Sequence, residues 1–189
     1  MNYIEIIAVV CSLLSVWFSV NRNVFTWPTG IAGISAYFIL FLNGRMYADM
    51  TLQLLFFIQS IYGWYAWFAK KDHTSKVIPD RLTKNKIIIC AALVFITWLL
   101  VVWILTEFTR SNLPWADAAA STLSLYANWL LARRKIENWV LWILADCIYI
   151  GLFIYTEMYL SAVTYVIFLI MATVAFFKWR NTLIKKDSF

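Results

Sequence analysis

Seven apolar runs constrain this chain more than any other feature: Ile4–Val20, Trp27–Leu42, Tyr47–Phe68, Ile87–Leu105, Trp115–Ala132, Trp139–Tyr155 and Met158–Phe177. A hydrocarbon core about 30 Å thick is crossed by roughly 17–25 residues of α-helix. Each run therefore predicts one membrane span, with soft boundaries where the run is short. Hydrophobic residues make up 63% of the 189 and charged residues 14%, whereas a soluble domain carries about 45–50% and about 25%. The predicted class is an all-α integral membrane protein of seven transmembrane helices. Glu5 is the first charged side chain, so the first run lacks the basic head of a cleaved signal peptide and is expected to stay as a span.

The runs form two matching sets. Moving the chain by 112 positions without a gap lays the first three runs on the last three. Ser12 then meets Ser124, Trp17 meets Trp129, Arg22 meets Arg134 and Trp27 meets Trp139. Further along, Tyr37 meets Tyr149, Phe41 meets Phe153, Met46 meets Met158, Tyr47 meets Tyr159, Phe56 meets Phe168 and Trp67 meets Trp179. Shared greasiness produces Leu and Ile coincidences, not tryptophans in register. Equivalent runs lie an even number of spans apart, so both sets point the same way. That is a parallel repeat about an axis along the membrane normal, as in SWEET-type transporters. The fourth run serves as an inverter between them. The expected divisions are a first three-helix repeat (1–69), a linker and inverter helix (70–112), a second repeat (113–182) and a cytoplasmic tail (183–189). The charged stretch 70–86 is expected to be the hinge between halves. Binding sites in such folds lie between the halves, near the midplane.

Lysine and arginine set the orientation. One side collects Arg22, Lys70, Lys71, Lys76, Arg81, Lys84, Lys86, Arg133, Arg134, Lys135, Lys178, Arg180, Lys185 and Lys186, leaving only Arg45 and Arg110 of the 16 for the other. The bias predicts an outward N-terminus and a cytoplasmic C-terminus. A net charge of +6 does not imply nucleic acid, because these residues sit in loops between apolar runs and not on a soluble face.

The sixth run holds the sharpest functional signal. Asp146 lies near its middle, where a carboxylate costs on the order of 2.5–3.5 kcal/mol to insert, and such a residue is a functional-site hypothesis by default. Trp139, Trp142, Asp146, Tyr149 and Phe153 follow 3, 4, 3, 4 spacing and share one helix stripe. The matching stripe in the first half is Trp27, Gly30, Ile34, Tyr37 and Phe41, with the aromatic frame but no acid. Trp27 and Trp139 open their runs, so a membrane-interface belt explains them about as well as a ligand does. Trp142 and Tyr149 lie deeper, where core packing competes with ligand contact. A serine or tyrosine hydroxyl on another run is the structural alternative for Asp146. Gln53 and Gln59 in the third run and Asn128 in the fifth are amides that need partners in lipid. Ser121 and Ser124 read as packing residues, and Asp49 as half of a rim ion pair with Arg45.

Catalytic signatures are missing: no HExxH, no GxSxG, no Gly-rich phosphate loop. Cys11, Cys90 and Cys147 fall inside apolar runs without ligand neighbours, and His73, the one histidine, lies in a charged loop. No catalytic residue, metal site or cofactor is expected.

Several segments resemble the PnuC family of bacterial nicotinamide riboside transporters: LARRKIENWVLW followed by Asp146 and Tyr149, MYADMTLQLLFF, YGWYAW, and the 3+1+3 layout of runs. The resemblance spans nearly the whole chain. Asn128 is a departure, standing where many relatives are expected to carry glutamine; the shorter amide keeps the chemistry and shifts the contact. The resemblance implies a SWEET-like carrier in the bacterial inner membrane, assembled as a homotrimer. It further implies import of nicotinamide riboside by facilitated diffusion, with a cytoplasmic kinase trapping the product for NAD synthesis. The residues suit that cargo. A pyridinium ring prefers tryptophan and tyrosine faces, here Trp27, Tyr37, Trp139, Trp142 and Tyr149. The ribose hydroxyls and carboxamide need acceptors and donors, here Asp146, Gln53, Gln59 and Asn128. The alternatives are a carrier of a neutral vitamin or sugar on the same fold, and a membrane interaction protein that transports nothing.

Overall fold

The computed structural model describes residues 3–43, 47–108 and 113–187. It contains seven α-helices: α1 (Tyr3–Val20), α2 (Thr26–Asn43), α3 (Tyr47–Phe68), α4 (Lys84–Phe108), α5 (Pro114–Ala132), α6 (Asn138–Tyr155) and α7 (Tyr159–Asp187). Six agree with the apolar runs to within three residues at either end. The seventh does not stop at Phe177. It carries Lys178, Arg180 and Lys185 onward in helix to Asp187, because Leu183 (4% exposed) joins the same buried cluster as Val20, Val24, Val77 and Trp179. Apolar packing under the basic residues extends the helix through most of the stretch expected to be a tail.

Helices α1, α4, α6 and α7 are long and apolar enough to cross a bilayer on length and composition alone. Helices α2, α3 and α5 carry the glycines, Pro28, glutamines, serines and Asn128 that dilute their hydropathy. The neighbour pairs are α1–α2, α2–α3, α3–α5, α5–α6, α6–α7 and α7–α1, which close a ring of six. Helix α4 stands outside this ring and packs on α5 alone. Its outer face, including Ile88, Phe95, Ile96 and Trp103, is exposed, as lipid-facing side chains are. The two seams between repeats are therefore α3–α5 and α7–α1, and α2 faces α6 across the ring.

The repeat read from the sequence recurs in the geometry. Trp27 meets Trp67 edge-on at 5.5 Å, and Trp139 meets Trp179 edge-on at 5.5 Å. Tyr37 stacks on Phe41 at 5.9 Å, and Tyr149 on Phe153 at 5.9 Å. The indole of Trp67 donates across one seam to the Leu131 carbonyl at 3.1 Å, while that of Trp179 donates across the other to the Ser19 carbonyl at 3.2 Å. Trp67 and Trp179 touch each other at 6.0 Å, on the axis relating the halves.

The turns after α1 and α5 match as well. Arg22 and Arg134 both adopt φ 61°. In each turn the next residue donates back to the helix, Asn23 N to Phe18 O and Lys135 N to Leu130 O, both at 2.9 Å. This is the Schellman closure, which glycine ordinarily occupies. The stretch expected to be a hinge is instead tied to both turns. Val77 is 1% exposed, and isolated bridges join Asn23 to Lys76 and Asp80 to Lys135.

Candidate functional site

The ring has a basic end and an interior, and the candidate residues divide between them. At the basic end, Trp27 and Trp139 are 3% and 2% exposed. Buried tryptophans in contact with Trp67 and Trp179 are not an interfacial belt, so that reading of them is overturned. Burial follows from their place at the first turns of α2 and α6, where each meets a tryptophan of the following helix edge-on. Their indole nitrogens make no hydrogen bond, which leaves two related donors unpaired. Trp142 packs against this core, half-buried.

The interior gathers around Asp146, which is 2% exposed. Its carboxylate makes no hydrogen bond or ion pair with a described residue. The hydroxyl partner considered from the sequence is therefore absent among the described residues. Tyr149, one turn further along α6, reaches toward Ser121 and Ser124 of α5. The Ser124 approach falls short of a full hydrogen bond and leaves its buried Oγ unpaired. Asn128 donates to the Gln59 side chain at 3.0 Å, an amide pair that closes the α3–α5 seam. Each amide thereby finds in the other part of what lipid cannot supply.

Sequence reasoning missed Tyr165 of α7. Its ring lies 4.7 Å from Tyr149 and 5.2 Å from Phe153, and it sits within electrostatic range of Tyr149, Asp146, Tyr37 and Asp49. A signal was available: the repeat shift that pairs Trp27 with Trp139 pairs Gln53 with Tyr165. Gln53 itself lines a crevice of about 260 Å³ between α2 and α3, with Ile34, Ser35, Phe38, Ile39, Leu54 and Phe57. The structure brings together Asp146, Tyr149, Tyr165, Tyr37, Ser121 and Ser124, with the Gln59–Asn128 pair on the neighbouring seam. It does not bring Gln53 or the four-tryptophan core into that group. Arg45, the expected partner of Asp49, and Arg110 lie outside the described residues, while Asp49 itself is half-buried in the first turn of α3. A cavity of about 510 Å³ forms an apolar space between α4, α5 and α6. It lies outside the ring and includes none of these interior residues.

A ring of two parallel three-helix units, an outlying inverter and a buried acid among tyrosines can be set beside known proteins. The sequence profile described as nicotinamide mononucleotide transporter matches residues 2–181. The chain belongs to that family. It is similar to the nicotinamide riboside transporter PnuC of Escherichia coli (strain K12), 22% identical over 213 residues covering 100% of this chain and 89% of that protein. It is also similar to the nicotinamide riboside transporter PnuC of Neisseria mucosa, 25% identical over 158 residues, 80% of this chain and 59% of that one. A solved structure, the crystal structure of the vitamin B3 transporter PnuC, superposes with TM-score 0.81 over 97% of this chain and 83% of its own, at 20% identity. That likeness establishes the fold, and the family and its relatives are transporters.

Proposed function

We propose that the protein carries nicotinamide riboside across the membrane, and that Asp146, Tyr149, Tyr165, Tyr37 and the Gln59–Asn128 pair form its binding site. The observation that carries this reading is the buried, unpaired carboxylate of Asp146 within electrostatic range of Tyr165. A lone acid is costly in a dry interior and is offset when a cation or hydroxyl-rich ligand meets it. The riboside supplies both, a pyridinium for the aromatic faces and ribose hydroxyls for the acid and amides. A neutral vitamin or sugar can meet the acid only through hydroxyls and brings no cation to the aromatic faces.

The family description names the mononucleotide, the relatives the riboside. The described lysines and arginines cluster at one end and along the linker, away from Asp146. A phosphate in the interior would lie near a carboxylate with no cation to receive it, and like charges repel strongly where the dielectric is low. The riboside is the better cargo. We place the basic end in the cytoplasm and the protein in the bacterial inner membrane, on the strength of the lysine and arginine bias. We further infer uniport by facilitated diffusion, with a cytoplasmic kinase trapping the product, and a homotrimer, as the family resemblance implies.

Proteoliposomes with an imposed potassium-diffusion potential test the reading. A permeant cation gains about 2.3 kcal/mol per charge at about 100 mV, so labelled riboside should accumulate on the order of fifty-fold. Uptake that ignores the potential but follows a proton or sodium gradient, or equal competition by the mononucleotide, would refute it. A cysteine in the 70–86 loop should stay unlabelled by impermeant reagent in intact cells; labelling there would reverse the orientation.

A further inference from the structure

The stretch between α3 and α4 crosses from one repeat's arginine turn to the other's. At the first turn, Val24 N donates to Ser75 O and Val77 N to Arg22 O, each at 3.0 Å. At the second, Asp80 N donates to Arg134 O at 2.9 Å and Ile136 N to Asp80 O at 3.0 Å. Both turns place arginine where glycine is the ordinary choice, and a side chain in the left-handed region is disfavoured. Arginine does what glycine cannot. Its guanidinium reaches the linker backbone, Arg22 to Val77 O at 3.5 Å and Arg134 to Ile78 O at 3.4 Å. Strained backbone held in place by such contacts is a pointer to function.

The anchors leave no slack. Only Ile78 and Pro79 lie between Val77 and Asp80, three Cα steps that span at most about 10 Å when fully extended. Parting the two repeats at this end therefore releases one anchor. The second is the stronger. It adds the Lys135–Asp80 ion pair, Lys135 Nζ to Arg81 O at 3.2 Å and Leu82 N to Glu137 Oε1 at 3.0 Å. The linker then runs into α4, which packs on α5 of the same repeat.

We propose that residues 74–82 are a clasp that holds the carrier shut at its cytoplasmic end, staying with the second repeat and releasing the first-repeat turn when that end opens. The proposal rests on the carrier reading above. Alternating access requires this end to part, and the tryptophan core with its two cross-repeat hydrogen bonds lies directly inside it.

The test is a pair of cross-links in the full chain with Cys11, Cys90 and Cys147 replaced by alanine. Cysteines at Asn23 and Lys76 face each other across an antiparallel bridge, near disulfide distance. Oxidised, this variant should still bind riboside by calorimetry while uptake into proteoliposomes falls at least ten-fold, and reductant should restore it. Cysteines at Asp80 and Lys135 bind the linker to the repeat it already accompanies, so oxidation there should leave uptake within two-fold. Full uptake by the oxidised Asn23–Lys76 pair, or equal block by both pairs, overturns the clasp. Should the first cross-link abolish binding by distortion, Arg22→Gly against Arg134→Gly decides. The first should speed efflux of preloaded riboside several-fold more than the second, and equal rates overturn the proposal. A cysteine-free parent that binds no riboside would instead remove the carrier reading, and the clasp with it.

Discussion

In the first repeat, α1 meets α2 through Ser12, Ser15, Gly30 and Gly33; in the second, the same seam holds Ser124, Ala127, Trp142 and Ala145. The first seam is tight. A methyl group on Gly30 or Gly33 would come within 2.9 Å of a serine hydroxyl oxygen. Ser15 Oγ donates to the Thr26 carbonyl at 2.7 Å, and Thr26 Oγ1 donates to the Ser15 carbonyl at 2.9 Å. The second repeat has no such reciprocal lock. Ala127 and Asn138 occupy those places, and the Asn138 amide donates within its own turn to Lys135 O at 2.6 Å. Giving up the lock makes room for Trp142, and one turn further along α6 for Asp146 where the first repeat has Ile34. One copy is a scaffold, and the other carries the polar chemistry of an asymmetric ligand.

The largest expected break in this comparison comes from Asp146→Asn, which makes the second repeat as uncharged at that depth as the first. Hydrogen bonds to charged groups are worth about 1.5–3 kcal/mol, so calorimetric affinity for the riboside should fall roughly ten- to 150-fold. Because the carboxylate is buried without a partner, thermal stability should hold or rise. A variant that melts early yet binds normally would make Asp146 a folding element instead.

A smaller effect separates Gly63 from its counterpart Ala175. A methyl group on Gly63 would lie 2.3 Å from the Trp27 ring, while Ala175 carries one at 0% exposure beside the second tryptophan pair. Gly63→Ala should cost about 1–3 kcal/mol by overpacking, read as a lowered melting temperature. Ala175→Gly should lose no more than about 1 kcal/mol, the helix-propensity difference, plus a small cavity term. Equal losses would mean the two cores are packed alike.

The last test concerns Trp142, whose counterpart is Gly30. If its ring faces the cargo, Trp142→Ala should weaken riboside binding by about 2 kcal/mol, the desolvated cation–π range, and Trp142→Phe by less. Equal loss from both, with lowered stability, would assign it to the tryptophan core it touches.

Much of this architecture was legible because lipid enforces a simple code. Apolar runs of bilayer length gave the helices, and tryptophans in register gave the repeat. Asp146 stood out because water-free surroundings make a carboxylate conspicuous. Tyr165 did not, since a tyrosine in an apolar run reads as packing until the repeat sets it opposite Gln53. The ties of the linker to both turns were not legible for a related reason. Its lysines and aspartates suggest solvent, but what fixes it is backbone pairing with two left-handed turns, which composition does not encode. The continuation of α7 depended on Leu183, a single apolar residue among charges whose partners lie on distant helices.

The reciprocal indole bonds carry an ancestral consequence. Trp67 reaches the end of α5 and Trp179 the end of α1, so each repeat offers the other the same donor and the same acceptor. Contacts of that kind are self-complementary, the hallmark of a two-fold dimer interface. A free three-helix protein bearing one such tryptophan and one such turn would pair with its own copy before any fusion, and the outlying α4 would be needed only once both units shared a chain. The two halves, expressed as separate chains 1–69 and 70–189, should accordingly find each other in the membrane and co-purify.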